Sequence, residues 1–406
     1  MDAHSEAAPG TASASIFWFA PSPVQGAGSA KDILAAPEIQ VRATSTSDAL
    51  DAMDAPGATP HSGMRLRDFS APDERSVQGG ATGEPGCGTH PPWRIVRGRE
   101  QLGPAMNSLR SHLFLLLLKY RHVFRGKLRR PVVDRTTSIA ALRARADKSS
   151  ARFGSLPRGI EVAPVSIDGI AAEWVRPPVD GARVILYFHG GGYVMGSRVS
   201  HRPAVANFVA GSGLAALVFD YRLAPEHPFP AALEDALAAY SWLLARETSD
   251  DIVLLGDSAG GGLALATLLA LRDRGMPLPA AAAVMSPWTD LTCTGETYQR
   301  PDPLAPAGSW HVFAHHYCAG QDPRNPMISP LYGDQRGLPP LLIHVGERES
   351  MLSDSTRLAE KAREAGVRVR LHVGRGMVHC YPVFSPKFPE ARKAMDDICE
   401  FLRTGR

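Results

Sequence analysis

An apolar run, Ile252-Val253-Leu254-Leu255, meets Gly256-Asp257-Ser258-Ala259-Gly260 and passes at once into Gly261-Gly262-Leu263-Ala264-Leu265-Ala266. The order is strand, sharp turn, helix. Glycines at 256 and 260 lack a Cβ, so the helix can fold back close against the strand. Ser258 then sits strained at the apex, at the N-terminus of a helix whose dipole favours developing negative charge. This is the G-x-S-x-G form of a nucleophile elbow. Ser-x-Gly also occurs in glycine-rich loops, and it is the strand before and the helix after that separate this case from those.

The same alternation extends in both directions. Glu161–Ile167 and Ile170–Arg176 flank Asp168-Gly169, a two-residue hairpin signal. Strands are expected over Val184–Phe188, Ala215–Phe219, 252–255, 280–285, 341–345 and 367–373. Helices are expected over 202–210, 231–246, 259–274, 353–365 and 389–402. Such a chain builds an α/β domain with a mostly parallel central sheet, helices on both faces and the antiparallel hairpin along one edge. Active groups then gather at the C-terminal ends of the strands. Residues 291–332 interrupt the alternation as a long insertion, and no internal repeat is present.

A second glycine motif lies 67 residues before Ser258 (258 − 191). Strand 183–188 ends in His189-Gly190-Gly191-Gly192-Tyr193. An HGGG loop supplies one half of an oxyanion hole, and the residue after the nucleophile, here Ala259, supplies the other. Glycines suit this task because backbone N–H groups must face an oxyanion with no side chain between. The bland alternative is a glycine-rich turn after a strand. His189 is not expected to be the general base; its expected role is to orient this loop by hydrogen bonding.

An elbow of this kind takes its partners in the chain order nucleophile, acid, histidine. Downstream of Ser258 stand His311, His315, His316, His344, His372 and His379. His344 and His372 lie within apolar strands and read as structural. His311, His315 and His316 fall in the aromatic part of the insertion. Their spacing permits a metal pair, but no carboxylate joins them at ligand spacing, so no metal is expected there. His379 follows the loop Gly374-Arg375-Gly376-Met377-Val378, where a general base would overhang the sheet edge. Glu347, Glu349 and Asp354 compete for the acid role. Asp354 also suits a helix cap, and Glu347 a solvated loop.

Together these residues resemble the bacterial hormone-sensitive-lipase-like esterases, family IV of the lipolytic enzymes. The runs His189-Gly190-Gly191-Gly192, Asp220-Tyr221-Arg222-Leu223-Ala224-Pro225-Glu226-His227-Pro228 and Gly256-Asp257-Ser258-Ala259-Gly260-Gly261 carry the likeness, which is strong from about residue 183 onward. The resemblance implies an α/β-hydrolase fold with a small helical cap and a serine carboxylester hydrolase acting on short-to-medium acyl esters. It implies a homodimer as one further possibility. It implies Ser258, Glu349 and His379 as catalytic residues, with the N–H groups of Gly190, Gly191 and Ala259 as the oxyanion hole. Many members carry Asp-Pro-Leu some 30 residues before the histidine. Here that spacing lands on Glu349 (379 − 349), so the chain departs from Asp to Glu, and Asp354 remains the rival. Tyr193 and Trp310 are expected pocket walls. An amidase, deacetylase or acyltransferase on the same triad, or a non-catalytic ligand receptor, are the alternatives.

Composition limits the rest. A net charge of +3 over 406 residues is too mild for a nucleic-acid partner, and five scattered cysteines without a CxxC suggest neither a disulfide framework nor a zinc site. The expected partner is a small-molecule ester, with no cofactor. Residues 1–105 are dense in Ala, Gly, Pro, Ser and Thr and read as a disordered leader or a mis-assigned start. They lack a basic n-region followed by an apolar h-region, so a cytoplasmic location is expected. Residues 106–160 are expected to form cap helices and 161–406 the catalytic domain, with the insertion 291–332 near the cap. Leu113-Phe114-Leu115-Leu116-Leu117-Leu118 is too short to span a bilayer, so no stable membrane insertion is expected. With the basic residues from Lys119 to Arg130 it reads as a cap helix or as an interfacial one.

Overall fold

The computed structural model describes residues 108–123, 131–150 and 156–405. The expected leader, 1–105, and the basic positions 125–130 lie outside these. Eight strands form one sheet: β1 (Glu161–Ile167), β2 (Ile170–Arg176), β3 (Val184–Phe188), β4 (Ala215–Phe219), β5 (Ile252–Asp257), β6 (Ala281–Met285), β7 (Leu341–Gly346) and β8 (Val369–Gly374). Their spatial order is β1-β2-β4-β3-β5-β6-β7-β8. The hairpin β1–β2 is antiparallel and so is β2–β4, while every pairing from β4 across to β8 is parallel. Asp168 and Gly169, both at positive φ, make the hairpin turn.

The central strands are buried on both faces, which is why they read as continuous apolar runs rather than alternating ones. Along β3, Ile185 and Tyr187 face one side. There they meet Val205, Phe208 and Val209 of α3 (Arg198–Ser212) and Ile398, Phe401 and Leu402 of α8 (Pro389–Thr404). Leu186 and Phe188 face the other side, with α4 (Ala231–Leu244), α5 (Ala259–Asp273) and α7 (Leu352–Glu364). Each such aliphatic or aromatic burial contributes about 1.5–3 kcal/mol.

Helix α3 starts four residues earlier than expected. Ser197 Oγ accepts from Ser200 N–H while Ser200 Oγ accepts from Ser197 N–H, a capping box that stabilises the first turn by about 1 kcal/mol. The insertion also carries a helix of its own, α6 (Ser309–Cys318).

Two helices precede the sheet, α1 (Leu109–Tyr120) and α2 (Ile139–Ser150). On α1, Phe114 packs against Phe384 and Phe388, while Ser108 and Ser111 donate to Glu390 of α8. On α2, Arg143 donates to the carbonyls of Val194 and Ala224 and pairs with Glu226. The chain between them reaches the insertion, because Val133 N–H donates to Ala307 O and Arg121 to Pro303 O. Among the described residues no helix is long and apolar enough to cross a membrane.

Candidate active site

The elbow is built by backbone contacts that admit no side chain. Ser258 follows the last residue of β5 at φ 54° and ψ −121°, and caps α5. Its N–H donates to Met285 O at 2.8 Å, and its carbonyl accepts from Trp288 N–H at 2.9 Å. A Cβ on Gly260 would stand 2.1 Å from Phe188 O, so only glycine lets α5 cross the end of β3 there. Both backbone groups of the strained serine are held by the end of β6 and the chain after it, which is what keeps a positive-φ side chain in place.

His379 reaches Ser258 from the loop after β8. Its Nε2 lies 2.9 Å from Ser258 Oγ, and its Nδ1 lies 2.6 Å from Glu349 Oε2. Glu349, 4% exposed, sits on the loop after β7. Its other oxygen accepts from Ser286 Oγ at 2.7 Å and from Gly346 N–H. Burial alone would lower the His379 basicity. Cys380 and Glu349 outweigh it and hold the imidazole well above its ordinary range. The Cys380 thiol is itself pushed up to about 11 by burial, so it is neutral near pH 7 and the carboxylate is the charge that acts there.

Asp354 is elsewhere. Its Oδ2 accepts from the N–H groups of Thr289 and Asp290 and from Tyr298 Oη at 2.9–3.0 Å, which clamps the chain after β6 onto α7. Burial and the neighbouring Asp290 push its pKa up to about 7. Glu347 accepts from Gly376 N–H at 2.6 Å and steadies the loop that leads to His379.

The glycine loop runs beside the elbow, because β3 and β5 are neighbours with Phe188 opposite Gly256. Gly190 differs from its expected role as an oxyanion donor. Gly190 N–H donates to Asp257 Oδ1 at 3.0 Å, so it is committed to the elbow carboxylate and not to an oxyanion. The N–H groups of Gly191 and Gly192 have no hydrogen-bond acceptor among the described residues. Ala259 opens α5, where helical N–H groups lack intrahelical partners. Gly191, at φ +125°, could not carry a side chain, since a Cβ would lie 2.1 Å from Met195 O. His189 is neutral: burial first, then His201, lowers its pKa to about 3. Its ring stacks on Tyr221, whose hydroxyl donates to His189 O at 2.7 Å, so it braces the loop.

The two expected walls part company. Trp310 stands edge-on to the His379 ring at 5.4 Å between centroids and contacts Trp288 and Phe313. Tyr193 is corrected to a core residue. It is 1% exposed and stacked on Tyr317 at 3.8 Å, so its ring supports the glycine loop from behind. His311 and His315 are exposed on α6. Ser286 escaped the sequence reading. It lies at φ 49° just past β6, and its Oγ both donates to Glu349 and accepts from Cys380 N–H. Its position at a strand's C-terminal end was the available signal.

Comparison with known proteins agrees with this layout. A family model described as an α/β-hydrolase fold matches residues 185–383. An acetyl-hydrolase of Streptomyces hygroscopicus is 43% identical over 264 residues, which is 64% of this chain and 87% of the relative. An esterase of Acinetobacter venetianus is 35% identical over 266 residues, covering 64% and 88%. The crystal structure of an esterase from the bacterial hormone-sensitive lipase family superposes with a TM-score of 0.67 at 38% identity, over 73% of this chain and 98% of that one. An esterase/lipase from an uncultured bacterium gives 0.67 at 40% identity, with the same coverage. An elbow braced by glycine contacts, an adjoining glycine loop and relatives matched over nearly their whole length lead to one conclusion: the chain belongs to the bacterial hormone-sensitive-lipase-like family of α/β-hydrolases and is a carboxylesterase.

Proposed function

We propose that the chain hydrolyses short-to-medium acyl esters through a Ser258–His379–Glu349 triad. One observation carries the reading: the unbroken hydrogen-bond line from Ser258 Oγ through both nitrogens of His379 to Glu349 Oε2. Ser258 Oγ attacks the ester carbonyl carbon as His379 Nε2 takes its proton. Glu349 holds the Nδ1–H tautomer and stabilises the imidazolium. The oxyanion is received by the N–H groups of Gly191, Gly192 and Ala259. The tetrahedral intermediate collapses, His379 returns the proton to the leaving alkoxide, and the alcohol departs. Water, deprotonated by His379, then attacks the acyl-enzyme, releasing the carboxylic acid and restoring Ser258.

Trp310, edge-on to the His379 ring and backed by Trp288 and Phe313, sets an aromatic wall beside the base that favours short acyl chains. The names of similar proteins point the same way: one is an acetyl-hydrolase, and the related EstE5 was soaked with p-nitrophenyl butyrate. Helices α1 and α2 form the lid in this reading, with Arg143 as the tie between α2 and the glycine loop. Closure over the pocket would exclude bulk water until the alcohol leaves.

The test has two parts. A fluorophosphonate probe should label Ser258, located by peptide mass spectrometry, and Ser258→Ala should lose turnover by about a thousand-fold or more while melting normally. Wild-type-like turnover in that variant would remove the serine mechanism. The kcat/KM for monomeric esters of rising acyl length should peak at short chains. A maximum at long chains with activation on emulsified triglyceride would make the protein a lipase.

A further inference from the structure

Three ligand-type side chains converge beneath the loops that carry Glu349 and His379. His344 on β7 and His372 on β8 stand directly opposite in the parallel register. Their rings stack at 4.8 Å between centroids with 7° between planes. Asp397 of α8 approaches both: its Oδ2 is 2.8 Å from His344 Nε2 and 3.5 Å from His372 Nε2. The three ligand atoms all lie within 4.8 Å of one another, the one such group among the described residues. The esterase reaction makes no use of it.

We propose that His344, His372 and Asp397 bind a divalent transition-metal ion of the zinc class, in a site separate from the ester-cleaving centre. Two imidazoles and a carboxylate suit zinc, cobalt or nickel and not magnesium or calcium, which take oxygen ligands. Tetrahedral coordination with bonds of about 2.0–2.1 Å places neighbouring ligand atoms about 3.3–3.4 Å apart. The two nitrogen–oxygen distances bracket that separation, and side-chain rotation of the stacked rings supplies the remaining convergence.

A second contact fits the same role. His344 Nδ1 is 3.2 Å from Tyr381 Oη. A metal-bound histidine usually donates its other ring N–H to such a partner, which fixes tautomer and ring orientation. A phenol serves here because it can donate or accept. While His344 Nε2–H donates to Asp397, Tyr381 donates to Nδ1. When Nε2 binds metal, the proton moves to Nδ1 and the tyrosine accepts. Asp397 has its second oxygen on Arg370, which leaves Oδ2 for the ion. The positive guanidinium also weakens binding relative to an all-neutral surround. With side-chain exposures of 38% for His372 and 23% for Asp397, the site is open to solvent, and water can take the fourth position.

Occupancy would tie β7, β8 and α8 together. Strand β7 leads to Glu349, and Tyr381 lies two residues beyond His379. The expected result is greater thermal stability of the region under the relay, with no metal step in turnover.

The test uses the full chain after chelator treatment, titrated with zinc by calorimetry and with cobalt by visible absorption. One equivalent of zinc should bind and raise the Tm reversibly with EDTA. Cobalt should give ligand-field bands of tetrahedral intensity. His372→Ala should bind zinc more than about tenfold more weakly and lose the cobalt bands, while its metal-free Tm stays near wild type. If that variant melts early, His372→Gln replaces it, since glutamine keeps polar contacts but ligates these ions poorly. No saturable binding up to millimolar zinc would overturn the site. So would cobalt bands that survive loss of His372; either result would leave the cluster an ion-pair group only.

Discussion

The two halves of the candidate active site are built from different materials. The nucleophile half, β5, the elbow and the glycine loop, is positioned by backbone that tolerates no added volume: a Cβ on Gly260 would stand 2.1 Å from Phe188 O, and one on Gly191 2.1 Å from Met195 O. The relay half is positioned by side-chain hydrogen bonds between distant segments. Ser286 joins Glu349 to the His379 loop, and Asp302 Oδ2 accepts from Ser350 N–H at 3.0 Å, steadying the acid from the insertion. Volume therefore governs the first half and hydrogen-bonding chemistry the second. Near-isosteric changes that remove a charge or an acceptor should be tolerated in one and ruinous in the other.

The largest effect tests the relay half. Glu349→Gln keeps shape but loses the carboxylate that stabilises imidazolium, so kcat should fall on the order of a thousand-fold or more. Asp354→Asn, equally buried, should cost less than about tenfold, because its partners are Thr289, Asp290 and Tyr298 and not the base. Measuring kcat for both folded variants decides the matter. A heavier loss in the Asp354 variant would transfer the acid role.

The next effect lies within the nucleophile half, at its one side-chain clamp. Asp257 accepts from Gly190 N–H and from Tyr187 Oη, so it locks the glycine loop to the elbow. Asp257→Ala should lower kcat by about a hundred-fold, comparable to losing one oxyanion donor, with KM much less affected. A rise in KM alone would mean that the clamp serves substrate binding instead.

A smaller effect appears in the pH profile. The base acts only when neutral, and Glu349 holds His379 above its ordinary pKa. The protonated form therefore persists to higher pH, and activity disappears as pH falls through that raised value. The acidic limb of kcat/KM should lie above about pH 6.5. The residual activity of Glu349→Gln should show the limb displaced to lower pH. An unmoved limb would assign it to another group.

The smallest effect lies outside both halves. A chain beginning at Met106 should keep kcat/KM within about twofold, since residues 1–105 lack core-forming periodicity. A loss of solubility or Tm would show that the leader contributes to the folded protein.

The nucleophile half was legible because its determinants are contiguous. Glycine patterns flanked by apolar strands carry their geometry in the local chain, and from them follow the elbow, the adjoining glycine loop and the parallel sheet around them. Even there Gly190 N–H faces a partner the glycine pattern did not announce. Glycine identity says that a backbone must approach closely, and only the packing of β3 beside β5 says that Gly190 N–H turns toward Asp257. Tyr193 shows the same limit: an aromatic next to a glycine loop reads as a wall until Tyr317 is found stacked upon it.

What the sequence determined by itself was the alternation of buried strands and helices, the strained serine and the order in which its partners follow. These depend on φ, on Cβ volume and on hydrophobic period, all properties of neighbouring residues. The tertiary structure decided that Glu349 and not its rival Asp354 meets His379, that Ser286 bridges Glu349 and the His379 loop, and that His344, His372 and Asp397 share one point. Those outcomes depend on distances between segments tens of residues apart, which are set only when the strands assume their order in the sheet and the helices close over its two faces.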